Sequence, residues 1–269
     1  MKGHSGYYAV IRPFGNISDE RNGEKAAFGK IYRKKNNLYR FSALFDRIDL
    51  LHVDSFEDYV SDLAAFMEKI VMPADEKPVY IYSHSMGGAV TALYLAKYGD
   101  KVEKAVLSAP LFEPVTGMNR RVALFGVGIG KCFKGSQTKC TFSKDFDPKA
   151  AQRSTTDTSR VRFAHNMMMR CNDEHYQSTP MTYGWVYNSL LLRPKIISRK
   201  TAGSIRTPIL LLSAEMDKVV KTDAHREFSE KCPSCKLVTV KNANHAMFSG
   251  DMSVLTEHIN RVLEFYGSL

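Results

Sequence analysis

The chain has 269 residues, 44% hydrophobic and 25% charged, which suits one soluble domain with a sizeable core, or a core domain carrying a large insertion. No stretch approaches the roughly 18 consecutive apolar residues that a membrane span needs. The net charge is +10, and residues 111 to 200 carry +9 of it through fifteen Lys/Arg against six Asp/Glu; with no recognised nucleic-acid module around them, these cations point away from DNA or RNA and toward a solvated face or an anionic membrane surface.

The N-terminus, MKGHSGYYAV, lacks the apolar run of a signal peptide. Five cysteines, an odd count with Cys232 and Cys235 as the one CxxC pair, fit reduced thiols better than a disulfide framework or a zinc site. The expected setting is therefore the cytoplasm, with peripheral membrane contact through the basic segment.

Along the chain, GYYAVIRPF from Gly6 to Phe14 reads as a strand ended near Pro13, followed by the turn-rich NISDERNGEK. AFGKIYRKKNNLYRFSALF then alternates weakly, as two short strands or a strand and a helix. The pattern sharpens at Ser55. SFEDYVSDLAAFMEKI opens with a capping serine, has Asp58 in the capping-box position, and repeats apolar residues at Phe56, Val60, Leu63, Met67 and Ile70. Pro73 lies just beyond this helix.

PVYIY, from Pro78 to Tyr82, predicts a short buried strand, SHSMGG a sharp turn, AVTALYLAKYG a helix ending at Gly99, and VEKAVLSAP a strand ended at Pro110. Strands alternating with helices predict a parallel α/β sheet. From Leu111 to about Ser204 that alternation stops; Gly-rich, basic FGVGIGKCFKGSQTKC and the helix-like VRFAHNMMMRC suggest a helical insertion over the C-terminal edge of the sheet. TPILLLSAE then predicts a strand, Thr222 to Lys231 a helix, KLVTVKNA a strand, and SVLTEHINRVLEFYG a terminal helix. The expected organisation is an N-terminal core part over 1–110, a cap over 111–204 and a C-terminal core part over 205–269.

Ser85 falls between a strand and a helix, in the run Ser83-His84-Ser85-Met86-Gly87 followed by Gly88. This is the setting of a nucleophile elbow, where small neighbours allow a tight turn that exposes the serine oxygen; here a serine stands at the usual first glycine. A serine hydroxyl needs a general base, itself oriented by a third group. Asp217 follows the strand TPILLLSAE and His245 follows KLVTVKNA, so both fall on the same edge of a parallel sheet as Ser85. Glu215 is the alternative acid. His84 is expected to pack or hydrogen-bond locally, and His165, His175, His225 and His258 to be structural or surface residues.

YIYSHSMGGAV, together with SAEMDKVV and NANHAM, resembles the serine-hydrolase family of bacterial lysophospholipase L2 and monoacylglycerol lipases, which are α/β-hydrolases. The resemblance extends to HVDSFEDYVSDL, LSAPLF and the segment Thr182 to Val186, and covers about residues 52 to 267. It implies an acyl-enzyme mechanism on a lysophospholipid or monoacylglycerol, with Ser85, His245 and Asp217 as the triad, the Met86 N–H as one oxyanion donor, and no cofactor or metal. It also implies an acyl-chain groove under the cap, for which Met167, Met168, Met169, Met181 and Trp185 are candidates, although methionines at such spacing are as often plain core.

Family members carry a His-Gly motif after an early strand and an Arg-Gly-rich segment after the next, well ahead of the elbow, and losing these first strands would remove an oxyanion donor. Only 84 residues precede Ser85 here, and neither motif is recognisable. Either the first strands are missing, or residues 1 to 50 replace them. Two classes follow: a lipid-ester hydrolase, with a small-ester or peptide hydrolase as its variant, and a non-catalytic member that keeps the fold.

Overall fold

A computed structural model of the protein describes residues 8–11, 50–72, 79–147, 159–172 and 180–267. The expectations for residues 12–49 and for His175 lie outside these residues. The described part is a mixed α/β fold: a five-stranded sheet in the order β1-β2-β3-β4-β5, flanked by helices. The strands are β1 (Tyr8–Ile11), β2 (Tyr80–His84), β3 (Lys104–Ser108), β4 (Ile209–Ala214) and β5 (Cys235–Val240). β2 to β5 are mutually parallel, while β1 pairs antiparallel to β2 with Tyr8 opposite Ser83.

Both faces of β2, β3 and β4 are covered, which explains why they read as largely apolar runs instead of alternating ones, while β5 at the edge is mostly half-buried or exposed. Ala105, Leu107, Ile209 and Leu211 join the larger core. Their strand neighbours Val106, Leu210 and Leu212 point to the opposite face, into a second cluster with Val254 and Val262. Helices α1 (Phe56–Phe66) and α2 (Met86–Tyr98) contribute to the larger core, and the terminal helix α8 (Met252–Tyr266) to the smaller.

Local signals act where the sequence puts them. Ser55 accepts from the Glu57 N–H at 3.2 Å while its own N–H donates to Asp58 at 3.0 Å, so two otherwise orphaned donors at the start of α1 are satisfied. α1 buries Phe56, Tyr59, Val60 and Leu63, then runs into a wider π-helical turn over Met67–Val71. α8 is capped by Asp251, which accepts from the Val254 N–H at 3.0 Å, and ends at Gly267, whose φ of 90° is left-handed.

Between β3 and β4 the described residues form helices α3 (Arg120–Lys134), α4 (Arg160–Asn172), α5 (Tyr183–Leu190) and the short α6 (Leu192–Ile196). α3 contains Gly126, Gly128 and Gly130, a composition that weakens an isolated helix. The packing against α5 explains one of them, because a Cβ on Gly130 would stand 2.1 Å from the Tyr183 ring. Arg193 of α6 ties this insertion to the core: it bonds Glu113 after β3, and Asp223 and Glu227 of helix α7 (Thr222–Lys231).

Candidate active site

The parallel register brings the ends of β2, β3, β4 and β5 to one edge: His84 pairs with Ser108, Ser108 with Leu212, and Ala214 with Val240. Ser85 directly follows β2, Asp217 lies in the turn after β4, and His245 in the loop after β5. Three residues far apart in sequence thus meet at the carboxyl ends of the strands, where open α/β sheets present their sites.

Ser85 adopts φ 53° and ψ −120°, outside the regions open to most L-residues. The conformation is held on two sides, by the Ser85 N–H donating to the Ser108 carbonyl at 3.0 Å and the Leu111 N–H donating to the Ser85 carbonyl at 2.8 Å. It turns the chain from β2 into α2 within one residue and leaves the hydroxyl at the sheet edge. Gly88 makes the turn possible on the helix side, because a Cβ there would stand 2.6 Å from the Pro110 Cβ.

His245 Nε2 lies 2.9 Å from Ser85 Oγ, and His245 Nδ1 lies 2.8 Å from Asp217 Oδ2. The side chains of His245 and Asp217 are both fully buried. Burial raises the Asp217 carboxyl pKa, but the hydrogen bond and charge of His245, with the N–H groups of Val220 and Val219, outweigh it and hold the group below its ordinary value. Those two N–H groups donate to Asp217 Oδ1 at 3.0 and 2.8 Å. A carboxylate can only accept, so the Nδ1 proton belongs to the histidine, and the Nε2 lone pair faces the serine hydroxyl.

Of the two candidate acids, the structure brings Asp217 to the histidine. Glu215 is exposed and instead accepts from the Asn242 N–H at 2.9 Å. His84 packs locally, with Nδ1 3.0 Å from the Ser108 carbonyl oxygen and its ring 4.8 Å from that of His245 and 4.9 Å from Phe248. Met86 opens α2, so its N–H is among the helix's first donors, which have no acceptor within the helix, and it stands at the positive end of the dipole. Met167 is buried on α4, while Met181 and Trp185 belong to the larger core, with the Trp185 ring 6.2 Å from Phe56; Met168 and Met169 are exposed.

Of the two roles the sequence left open for His225, structural or surface, the fold gives it the structural one. It is fully buried behind the acid loop, with Nδ1 2.8 Å from Ser213 Oγ and Nε2 2.8 Å from the Pro110 carbonyl oxygen. The carbonyl accepts from Nε2–H, which leaves Nδ1 to accept from Ser213. This neutral ring joins β4 to the turn that carries Pro110, the residue against which Gly88 packs. Among the described residues, no group of three or more His, Cys, Asp or Glu could hold a metal.

Residues 49–251 match the family model Hydrolase_4, described as serine aminopeptidase, S33. Lysophospholipase L2 of Escherichia coli K12 is 28% identical over 225 residues, which cover 80% of this chain and 65% of that protein. A probable lysophospholipase L2 of Haemophilus influenzae is 26% identical over 202 residues, 72% of this chain and 61% of that protein. The chain thus spans less than two thirds of the length of these curated relatives. Among solved structures, the monoacylglycerol lipase of Paleococcus ferrophilus superposes with a TM-score of 0.57 at 18% identity, covering 78% of this chain and 74% of that one. A soluble variant of monoglyceride lipase from Saccharomyces cerevisiae, in complex with a substrate analogue, gives 0.59 at 16% identity, covering 78% and 67%. The strand-turn-helix around Ser85, the carboxyl-edge placement of Asp217 and His245, and the family match over 49–251 together establish that the chain belongs to the serine aminopeptidase S33 family of α/β-hydrolases.

Proposed function

We propose that the protein is a serine hydrolase that cleaves the carboxylic ester of a lysophospholipid or a monoacylglycerol. The observation that carries the reaction class is the continuous chain from Ser85 Oγ to His245 at 2.9 Å and from His245 to Asp217 at 2.8 Å. In this reading His245 takes the Ser85 proton as the oxygen attacks the ester carbonyl. Asp217 holds the imidazole in its tautomer and stabilises the imidazolium. His245 then protonates the leaving alcohol, and water activated by the same nitrogen releases the fatty acid.

The Met86 N–H is the proposed oxyanion donor, a contact worth roughly 3 kcal/mol of transition-state stabilisation when such a donor acts alone. Met167 is the proposed apolar contact for the acyl chain, whereas Met181 and Trp185, also expected to line a groove, are packed into the larger core instead. The lipid substrate class is supported by the L2 relatives and by the two monoacylglycerol lipase structures of similar fold. A reducing, cytoplasmic setting is supported by the five free cysteines.

The test is fatty-acid release from lysophosphatidylcholine and from monoacylglycerol by purified protein, beside Ser85→Ala. Release that disappears in the variant is the expected result. Well-folded protein that releases nothing from either lipid, yet cleaves a short-chain nitrophenyl ester, would reassign the substrate class. Inertness toward all three would make the chain a non-catalytic member of its family.

A further inference from the structure

Helix α3 carries two apolar faces where a helix on a globular surface needs one. Its inner face is spent on α5: Ala123 and Val127 are buried, and Gly130 lies under the Tyr183 ring. The other face is a stripe of Val122, Phe125, Ile129 and Phe133, spaced three, four and four residues apart, so the four lie along one side over about three turns. These residues are 60%, 72%, 44% and 86% exposed. Single exposed apolar residues are ordinary, but an aligned row including two phenylalanines marks a surface that meets something apolar.

The charge on the helix says what that partner is. Arg120 and Arg121 stand at its start and Lys131 and Lys134 at its end, with no acidic residue between them. Arg121 and Lys134 are exposed. An aromatic and aliphatic stripe bracketed by cations is the arrangement of helices that lie in the plane of a membrane interface, with the apolar face below the headgroups and the basic side chains among the phosphates. A protein groove would have to supply a long apolar trough and acidic rims at both ends, whereas an anionic bilayer supplies both without shape matching.

We propose that the outward face of α3 docks the protein on a lipid bilayer rich in anionic headgroups, with Phe125 and Phe133 as the inserted side chains and Arg121 and Lys134 as headgroup contacts. This goes beyond the catalytic reading, and it can stand or fall separately from it.

The experiment is co-sedimentation of the purified full chain with vesicles of phosphatidylglycerol and phosphatidylcholine, with vesicles of phosphatidylcholine alone, and with the mixed vesicles at high salt. Wild-type protein should sediment with the mixed vesicles and much less with the neutral ones or in salt. The double variant Phe125→Ser, Phe133→Ser should lose at least about tenfold in apparent affinity, since two aromatic burials are removed. Arg121→Glu with Lys134→Glu should abolish the preference for anionic vesicles. Because all four side chains are exposed, unchanged thermal melting is expected to show that each variant folds. Ser85→Ala should bind vesicles like wild type, which separates this surface from the catalytic assignment. Equal sedimentation of wild type and the phenylalanine variant, or none by the wild type, would overturn the proposal. So would a wild-type dimer that ignores vesicles and becomes monomeric in the phenylalanine variant, because the stripe would then be covered by a second copy.

Discussion

Gly88 on α2 lies against Pro110 so closely that a Cβ would stand 2.6 Å from the Pro110 Cβ and 2.9 Å from its Cα. Both neighbours are locked: Pro110 by its ring and by the His225 Nε2–H donated to its carbonyl, Gly88 by its place in the first turn of the helix. Gly88→Ala should therefore destabilise the fold by about 1–3 kcal/mol, the range for overpacking a tight contact, even though alanine is the better helix former. Urea denaturation decides it; a stability equal to or above wild type would show that the helix shifts without cost.

The backbone at Ser85 is a second place where local preference is overruled. A non-glycine residue at φ 53° and ψ −120° costs on the order of 1–3 kcal/mol. Ser85→Gly should relieve that strain and raise the unfolding free energy relative to Ser85→Ala, which keeps the Cβ and the strain while also losing the hydroxyl. Ester cleavage should be absent in both. If the two variants melt alike, the turn is not strained in solution.

Replacing the acid tests the tautomer argument. In Asp217→Asn the amide NH₂ can donate to His245 Nδ1, which favours the ring with its proton on Nε2, facing the serine. That ring cannot accept the hydroxyl proton. Should the protein hydrolyse esters as proposed, kcat is expected to fall on the order of 10³- to 10⁴-fold with KM little changed. Glu215→Gln, away from the histidine, should cost little. Near-equal losses in the two variants would sink the assignment of Asp217.

Two histidines make acid stability predictable. Burial pushes both His225 and His258 down to about 4, well below the ordinary 6.5. Between pH 6.5 and pH 4 the unfolded chain therefore binds more protons at these sites than the folded one, so folding stability rises with pH across that window and is lost as pH falls. The size is on the order of 3 kcal/mol for each group. The Asp217 carboxyl, held below its ordinary value, adds a loss at still lower pH. The denaturation midpoint should drop steeply from pH 7 to pH 5, and His258→Gln should flatten that slope by about half. An unchanged slope in that variant would mean that His258 binds its proton equally well in the folded and the unfolded chain.

How much of this was legible in the chain follows from which interactions are local. The capping box at Ser55 and Asp58 joins residues three apart, and the helix appears where that signal stands. The placement of Ser85, Asp217 and His245 was legible for a different reason. Parallel strands put every following loop on one edge, so the order of elements alone predicts that these side chains share it.

What the sequence could not decide is set by contacts with no sequence signature. Asp217 and Glu215 sit two residues apart in the same turn, and only the packed loop, with the Val219 and Val220 N–H groups on one carboxylate oxygen, selects which of them faces the histidine. His225 gave no sign of its role because its partners are Ser213 and the Pro110 carbonyl, the latter 115 residues away. The glycines of α3 fell in a segment expected to be a helical insertion, but nothing local bounded a helix there or showed that Tyr183 would pack over Gly130. Sequence by itself thus determined the type and order of the elements, through hydrophobic period, caps and turns, because those depend on near neighbours. Tertiary structure alone decided which acid pairs with His245, which histidines are buried neutral and which face of α3 stays exposed, because each depends on distant segments that meet only when the chain has folded.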